Sequence, residues 1–276
     1  MKENDGFQVG RRDPGHLKET LRGRQRTVGS WLTFSTEASA EIMARAGFEW
    51  LVIDMEHAPL DIADAARLIR VIDLAGVPVL CRLPANDAVI AKRVLDAGAM
   101  GVMIPGVASA DEARRAVEAV SYPPTGQRGV GLGRAQGYGR GLEDYRRRMH
   151  SALVVVAMIE TRAGVEAAAA IASTPGIDGI FIGPYDLSAS LGRIGQLDHP
   201  AVRAAERRVL KTASKAGIAC GIHVVHPSAT LVRRAVRDGY TFVALGVDML
   251  LLGDAAASAI SLWNAPASRR AVARKG

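Results

Sequence analysis

Cysteine is nearly absent from this chain: its 276 residues hold two, Cys81 and Cys220. Two thiols give neither a disulfide framework nor a cysteine-rich metal site. Both lie in apolar runs, where plain buried thiols are expected. Aromatic residues make up only 5%, so a core has to be built from Ala, Val, Ile and Leu. No apolar run reaches the roughly 18–20 residues of a membrane span. The opening stretch, MKENDGFQVGRRDPGH, has no apolar segment of a secretory signal. A cytoplasmic protein without a membrane partner is expected.

The formal charge of +7 is unevenly placed. Residues 1–28 carry seven basic and four acidic residues, and residues 265–276 carry four basic and none acidic. The two ends account for the whole excess, so the stretch between them is formally neutral. That argues against a nucleic-acid-binding body and leaves nucleic-acid or acidic-surface binding by the tails as the reading from another class. Residues 1–26 read as a basic N-terminal extension, 27–264 as the folded body and 265–276 as a basic C-terminal tail. A hydrophobic content of 49% with 23% charged residues is globular.

Within the body, short apolar β-rich runs alternate with helical patterns. The strand signals are Thr27–Phe34, Trp50–Asp54, Val77–Arg82, Gly101–Ile104, Leu153–Ile159, Gly179–Ile182, Ile218–Ile222 and Phe242–Leu245. Helical periodicity follows each, as in Leu60–Ala75, Asp87–Ala97 with Asn86 as its cap, and a helix from Ser109 with a capping-box Glu112. Two segments break the rhythm: a loop over Tyr122–Gly139 continuing into the polar Arg140–His150, and Gly183–His199. Eight strand–helix units predict a parallel (β/α)8 TIM barrel. The competing architecture, an open doubly wound sheet, should carry a glycine-rich phosphate fingerprint after its first strand, and none follows Thr27–Phe34.

Barrels place chemistry at the carboxyl ends of their strands. The ionisable residues there are Asp54, Glu56 and His57, then Arg82, Glu160, Asp186, His223 and Asp248. Glu160 and Asp186 close adjacent strands, and two carboxylates with water and a chelating substrate suit a hard cation such as Mg²⁺ or Mn²⁺. His57 is the candidate acid/base residue, with Asp54 and Glu56 placed to orient or tune it. Arg82 ends an apolar strand and needs an anionic partner, either a substrate carboxylate or developing oxyanion or a structural ion pair with Glu56 or Glu160. Asp248 reads as a helix cap. The six lysines (Lys2, Lys18, Lys92, Lys211, Lys215 and Lys275) all fall outside the strand ends. A Schiff-base mechanism is therefore disfavoured against a metal-stabilised enolate.

Several stretches carry a resemblance in order along the chain: GFEWLVIDMEHAPLD, PVLCRLPANDAVIAKRVLDAGAMGVMIPGV, SYPPTGQRGVG, MIETRAGV, GIDGIFIGPYDLSASLG and FVALGVDMLLL. Over roughly residues 28–262 the sequence resembles the HpcH/HpaI aldolases. These are class II pyruvate aldolases of the kind that act on 4-hydroxy-2-oxoheptanedioate and 2-dehydro-3-deoxyglucarate. The resemblance implies cleavage of a 4-hydroxy-2-oxo acid to pyruvate and an aldehyde with a divalent ion (Mg²⁺, Mn²⁺ or Co²⁺). It also implies a homohexamer, a trimer of dimers, whose subunits exchange the last helix. Carried over by motif, Glu160 and Asp186 are the metal ligands, His57 the acid/base residue and Asp54 its support. Arg82 stabilises the enolate oxygen, and Asp96 is lent to a neighbouring subunit. The backbone of Gly183, Pro184, Tyr185 and Asp186 binds the pyruvate carboxylate, and Arg128 with Gly129 forms a loop near the site.

The chain departs from the family pattern at Met158, where Gln is common, at His223, where an apolar residue is common, and at Tyr185, where small residues are common. His223 is expected either to touch the substrate's carboxylate or a metal-bound water, or to act from behind the site. The nearest enzyme alternative is an acyl-CoA lyase of the citrate-lyase β-subunit type, which needs a CoA site. A barrel of altered activity is a third reading.

Overall fold

The computed structural model describes residues 15–264. The C-terminal basic tail and residues 1–14 lie outside that range. Eight parallel strands close into a barrel in sequence order, β8 pairing back onto β1. They are β1 (Thr27–Leu32), β2 (Trp50–Asp54), β3 (Val79–Arg82), β4 (Gly101–Ile104), β5 (Val154–Ile159), β6 (Gly179–Ile182), β7 (Ala219–Val224) and β8 (Phe242–Val247). The barrel expectation holds and the open sheet is excluded, because an open sheet would leave β1 and β8 unpaired.

Strand alternation builds two apolar layers. Trp50, Val52, Leu80, Val156, Phe181 and Phe242 fill the barrel interior. Leu51, Ile53, Val79, Cys81, Val155 and Ile180 face the helices. With so few aromatics, three of them set the interior packing: Phe181 meets Phe242 edge-on, and Phe242 lies 4.1 Å from the Trp50 ring centroid. Gly29 belongs to this packing, since a Cβ there would lie 2.1 Å from the Trp50 indole. Both cysteines are buried free thiols, as expected. No helix among the described residues is long and apolar enough to cross a membrane.

The helices are α1 (His16–Arg22), α2 (Glu37–Arg45), α3 (Ile62–Leu74), α4 (Ala88–Ala97), α5 (Ala110–Val120), α6 (Leu142–Ala152), α7 (Arg162–Ala172), α8 (Pro184–Ser190), α9 (Pro200–Ala216), α10 (Ala229–Asp238) and α11 (Asp248–Asn264). Side-chain caps set the starts of α3, α4, α5, α7, α9 and α10. Asp61 and Asp64 form a capping box on α3. Asp87 rather than Asn86 caps α4, accepting from Val89 N and Ile90 N, while Asn86 reaches the Glu112 carbonyl. Ser109 caps α5 as expected, but the Glu112 carboxylate takes the N–H of Ala108.

Three helices sit where none was expected. α6 occupies the polar segment Arg140–His150 and runs past it. α8 opens the second irregular segment. α1 lies inside the stretch read as a basic extension and plugs the amino-terminal end of the barrel. Its Leu17 and Leu21 join the interior core. Its Lys18 Nζ donates to Asp178 Oδ2 at 2.8 Å and to the Leu153 carbonyl at 2.5 Å.

Candidate active site

The opposite, carboxyl end of the barrel opens into a cavity of about 400 Å³. Its lining includes Asp54, His57, Arg82, Asp186 and His223, together with Gly183, Pro184 and Tyr185. Most of the residues expected at a site are therefore brought to one place. The reason is topological: each lies at or just past the end of a strand whose interior half is apolar.

Arg82 is the best-held of them. It is Asp54's register partner across β2 and β3. Its Nε donates to Asp54 Oδ1 at 2.9 Å and its Nη2 to Asp54 Oδ2 at 2.5 Å. Its Nη1 lies 3.1 Å from Glu56 Oε2, close enough for an ion pair but off the hydrogen-bonding line. The guanidinium also stacks 4.5 Å over the Trp31 ring. Such a planar fork, held on its edge and its face, has few orientations left. The anionic partner that Arg82 requires is thus supplied within the chain.

Asp54 does a second job. Its Oδ1 accepts the backbone N–H groups of Glu56 and His57 at 3.1 and 3.2 Å. It fixes the main chain under His57 rather than the imidazole, which departs from the expected support of the ring. The ring's nearest acid is Glu56, with Nε2 to Oε2 at 3.7 Å, and the His57 side chain is 61% exposed. Glu56 thus contacts both the cation and the base.

Glu160 follows β5 and is buried. Its Oε1 accepts the Gly106 N–H at 2.6 Å. Its Oε2 faces Gly183, where a Cβ would lie 2.6 Å away. Only glycine leaves that carboxylate room. Burial pushes the Glu160 carboxyl above the usual carboxylate range. The Gly106 N–H opposes the rise, and the charges of Glu56 and Asp186 add to it. Burial raises Glu56 as well, against the pull of Arg82 and His57. Asp54, Glu56, Glu160 and Asp186 thus crowd around one guanidinium. An all-oxygen, net-negative set of this kind is the environment a hard divalent cation satisfies. Among the described residues no three His, Cys, Asp or Glu side chains converge into a ready-made metal cage.

His223 lies against this cluster, its ring centroid 5.6 Å from that of Trp31. Its Nε2 is 2.8 Å from the Gly246 carbonyl. A carbonyl only accepts, so Nε2 carries the proton. Burial holds its pKa down at about 4, so the ring is neutral near pH 7. Met158 lines the cavity beneath it. Asp248 accepts from Thr33 N, Thr33 Oγ1, Phe34 N, Ser39 Oγ and Met249 N. It is the first residue of α11 rather than its cap, and it ties the start of that helix to the β1–α2 loop and to α2.

Asp96 and Arg128 are placed elsewhere. Arg128 Nη2 donates to Asp96 Oδ1 at 2.6 Å and to the Tyr145 hydroxyl at 3.2 Å. The loop after α5 folds back on the outside of the barrel, Arg128 N bonding to the Ser121 carbonyl. That carries Arg128 onto the flank, away from the mouth. Gly129 goes with it, next to Lys92. Within one chain Asp96 does not reach the cavity either. Both contacts of Glu56, to His57 and to Arg82, were among the readings of the sequence. Trp31 was missed, because it points inward from β1 and reads as core.

The sequence profile of the family described as HpcH/HpaI aldolase/citrate lyase matches residues 27–255. The chain is 41% identical over 241 residues to a hydroxypyruvate/pyruvate aldolase of Paraburkholderia phytofirmans, covering 85% of this chain and 92% of that protein. It is 40% identical over 238 residues to a 5-keto-4-deoxy-D-glucarate aldolase of Escherichia coli, covering 86% and 91%. The crystal structure of an HpcH/HpaI aldolase/citrate lyase family protein from Burkholderia cenocepacia superposes with a TM-score of 0.86 at 37% identity, covering 91% of this chain and 99% of that one. By sequence and by fold alike, the chain belongs to the HpcH/HpaI aldolase/citrate lyase family.

Proposed function

We propose that this protein is a divalent-metal-dependent class II aldolase. It reversibly cleaves a 4-hydroxy-2-oxo acid to pyruvate, or a related 2-oxo acid such as hydroxypyruvate, and an aldehyde. The observation that carries the reading is the crowding of Glu56, Glu160 and Asp186 beside the single guanidinium of Arg82. Glu160 and Asp186 would hold the ion, which suits their oxygen donors and offsets their mutual repulsion. When bound, Mg²⁺, Mn²⁺ or Co²⁺ supplies Lewis-acid polarisation of the 2-oxo acid.

The chain's own residues supply the rest. Cleavage of the C3–C4 bond moves negative charge onto the C2 oxygen. Arg82, aimed by Asp54 and Trp31, is a preorganised donor for that charge. His57 takes the C4 hydroxyl proton as the aldehyde forms, a proton added at C3 of the enolate completes pyruvate, and the reverse direction runs these transfers backward. Glu56, near both groups, links the charge of the base to that of the cation. Tyr185 and the neutral His223 shape the side of the cavity that receives the aldehyde. The nearly unburied α11 favours a homo-oligomer, with the hexamer and exchanged helix as its specific form. Asp96 would then act at a neighbouring subunit's site.

The test is a coupled assay for pyruvate release from 4-hydroxy-2-oxo acids, run beside CoA thioesters. Turnover of the oxo acids alone supports the aldolase. Turnover of the thioesters alone would assign the acyl-CoA lyase instead.

A further inference from the structure

A second cavity, of about 640 Å³, lies on the flank of the barrel between α1, α5 and α6. It shares no lining residue with the catalytic mouth. Four cations line it, Lys18, Arg22, Arg128 and Arg146, and none of its lining residues is acidic. The compensating carboxylates sit behind or beside it. Asp178 is fully buried and serves both Lys18 and Arg22. Asp96 pairs with Arg128, and Glu143 with Arg146. Four cations thus share three carboxylates, and the uncompensated charge falls on the cavity side.

Two further donors are unsatisfied. Arg128 is 3% exposed, and its Nε has no partner; the hydroxyl of Tyr122 has none either. Both residues line the cavity. A buried donor left without an acceptor costs free energy that an incoming oxygen atom recovers. Burial also lowers the pKa of Lys18 against the pull of Asp178, so an added anion nearby would ease the cost of keeping that ammonium charged.

We propose that this flank cavity is a second ligand site, taking a compact polyanion with two or more phosphate or carboxylate groups. Its volume falls within the range of small-molecule sites. Its cations come from two separate helices, α1 and α6, and one loop, so a bound polyanion would tie the amino-terminal plug to the outer layer.

The experiment is isothermal titration of metal-stripped, desalted protein with pyrophosphate and, separately, with tricarballylate. The two probes distinguish a phosphate source from a carboxylate source. The expected result is saturable one-to-one binding of at least one probe, weakening as salt rises. Combining Arg22→Ala with Arg146→Ala should weaken it by about tenfold, in a protein of unchanged circular dichroism. Arg82→Lys, at the catalytic mouth, should leave it unchanged. Arg146→Ala alone, on an exposed helix face, should weaken binding partially and guards against misfolding of the double variant. Absence of saturable binding by both probes would overturn the proposal. So would binding that survives the double variant and disappears in Arg82→Lys. Because no metal or turnover enters the measurement, its outcome is independent of the aldolase reading.

Discussion

Arg82 and Asp54 face each other across β2 and β3 as a two-pronged ion pair, at 2.9 and 2.5 Å, buried at the mouth of the barrel. The pair aims the guanidinium; the aim is what a transition-state donor needs. Arg82→Lys keeps the charge and loses the fork. Its expected effect is a fall in kcat of about 10²–10³-fold, the cost of removing one preorganised oxyanion donor. Asp54→Asn should lower kcat in the same direction with a smaller change in KM, since the cation remains but is no longer held. Steady-state kinetics of both variants, with thermal melts as a control for folding, check this.

His223 should make acid stability distinctive. Its folded-state pKa of about 4 lies below its ordinary 6.5. Between these values the unfolded chain binds a proton that the folded chain does not. Stability is therefore full above about pH 6.5 and falls as the pH drops toward 4, by about 2–3 kcal/mol from this group. Urea melts across that range should show a shallower loss in His223→Leu than in the parent protein. Parallel curves would contradict the assignment.

Lys18 holds the plug. Its removal leaves Asp178 fully buried with only the half-exposed Arg22 as counterion. Lys18→Ala should cost about 3–5 kcal/mol, as breaking one side of a buried pair does. The melting temperature should fall by about 2–4 °C per kcal/mol. The specific activity of the folded fraction should stay the same, because the plug is at the opposite end from the cavity.

The last helix predicts assembly. Asp248 is the only buried residue of α11, and Trp263 is 86% exposed. Leu252, Ile260 and Leu262 are exposed as well. On the proposed assembly, this bare apolar helix is the surface that packs against another subunit. Ile260→Glu combined with Trp263→Glu should move the protein to a smaller species in sedimentation velocity.

Legibility in the sequence followed physical signal. The strands were readable because each is a short apolar run, and the strand-end filter found Arg82, Glu160, Asp186 and His57 without their geometry. α6 escaped because its apolar stripe is short, only Tyr145, Met149 and Ala152, and is set in a run of charged residues. Glu143 pairs with Arg146, and Asp144 with Arg147 and Arg148, at three- and four-residue spacing. α1 escaped because its basic composition masked the Leu17–Leu21 pair, which is one helical turn apart. Arg128 was expected near the site, since a loop motif does not reveal which way the loop folds. Its placement depends on long-range pairing with Asp96 that no local pattern encodes.

On the proposed function, Glu160 and Asp186 hold a divalent ion required for carbon–carbon cleavage. The most direct measurement follows pyruvate release from a 4-hydroxy-2-oxo acid by chelator-treated protein, with Mn²⁺ then added back, for the parent protein and for Glu160→Gln and Asp186→Asn. Loss of turnover on chelation, recovery on add-back in the parent, and no recovery in either variant are expected. Turnover that persists through chelation, or in both variants, would contradict the proposed function.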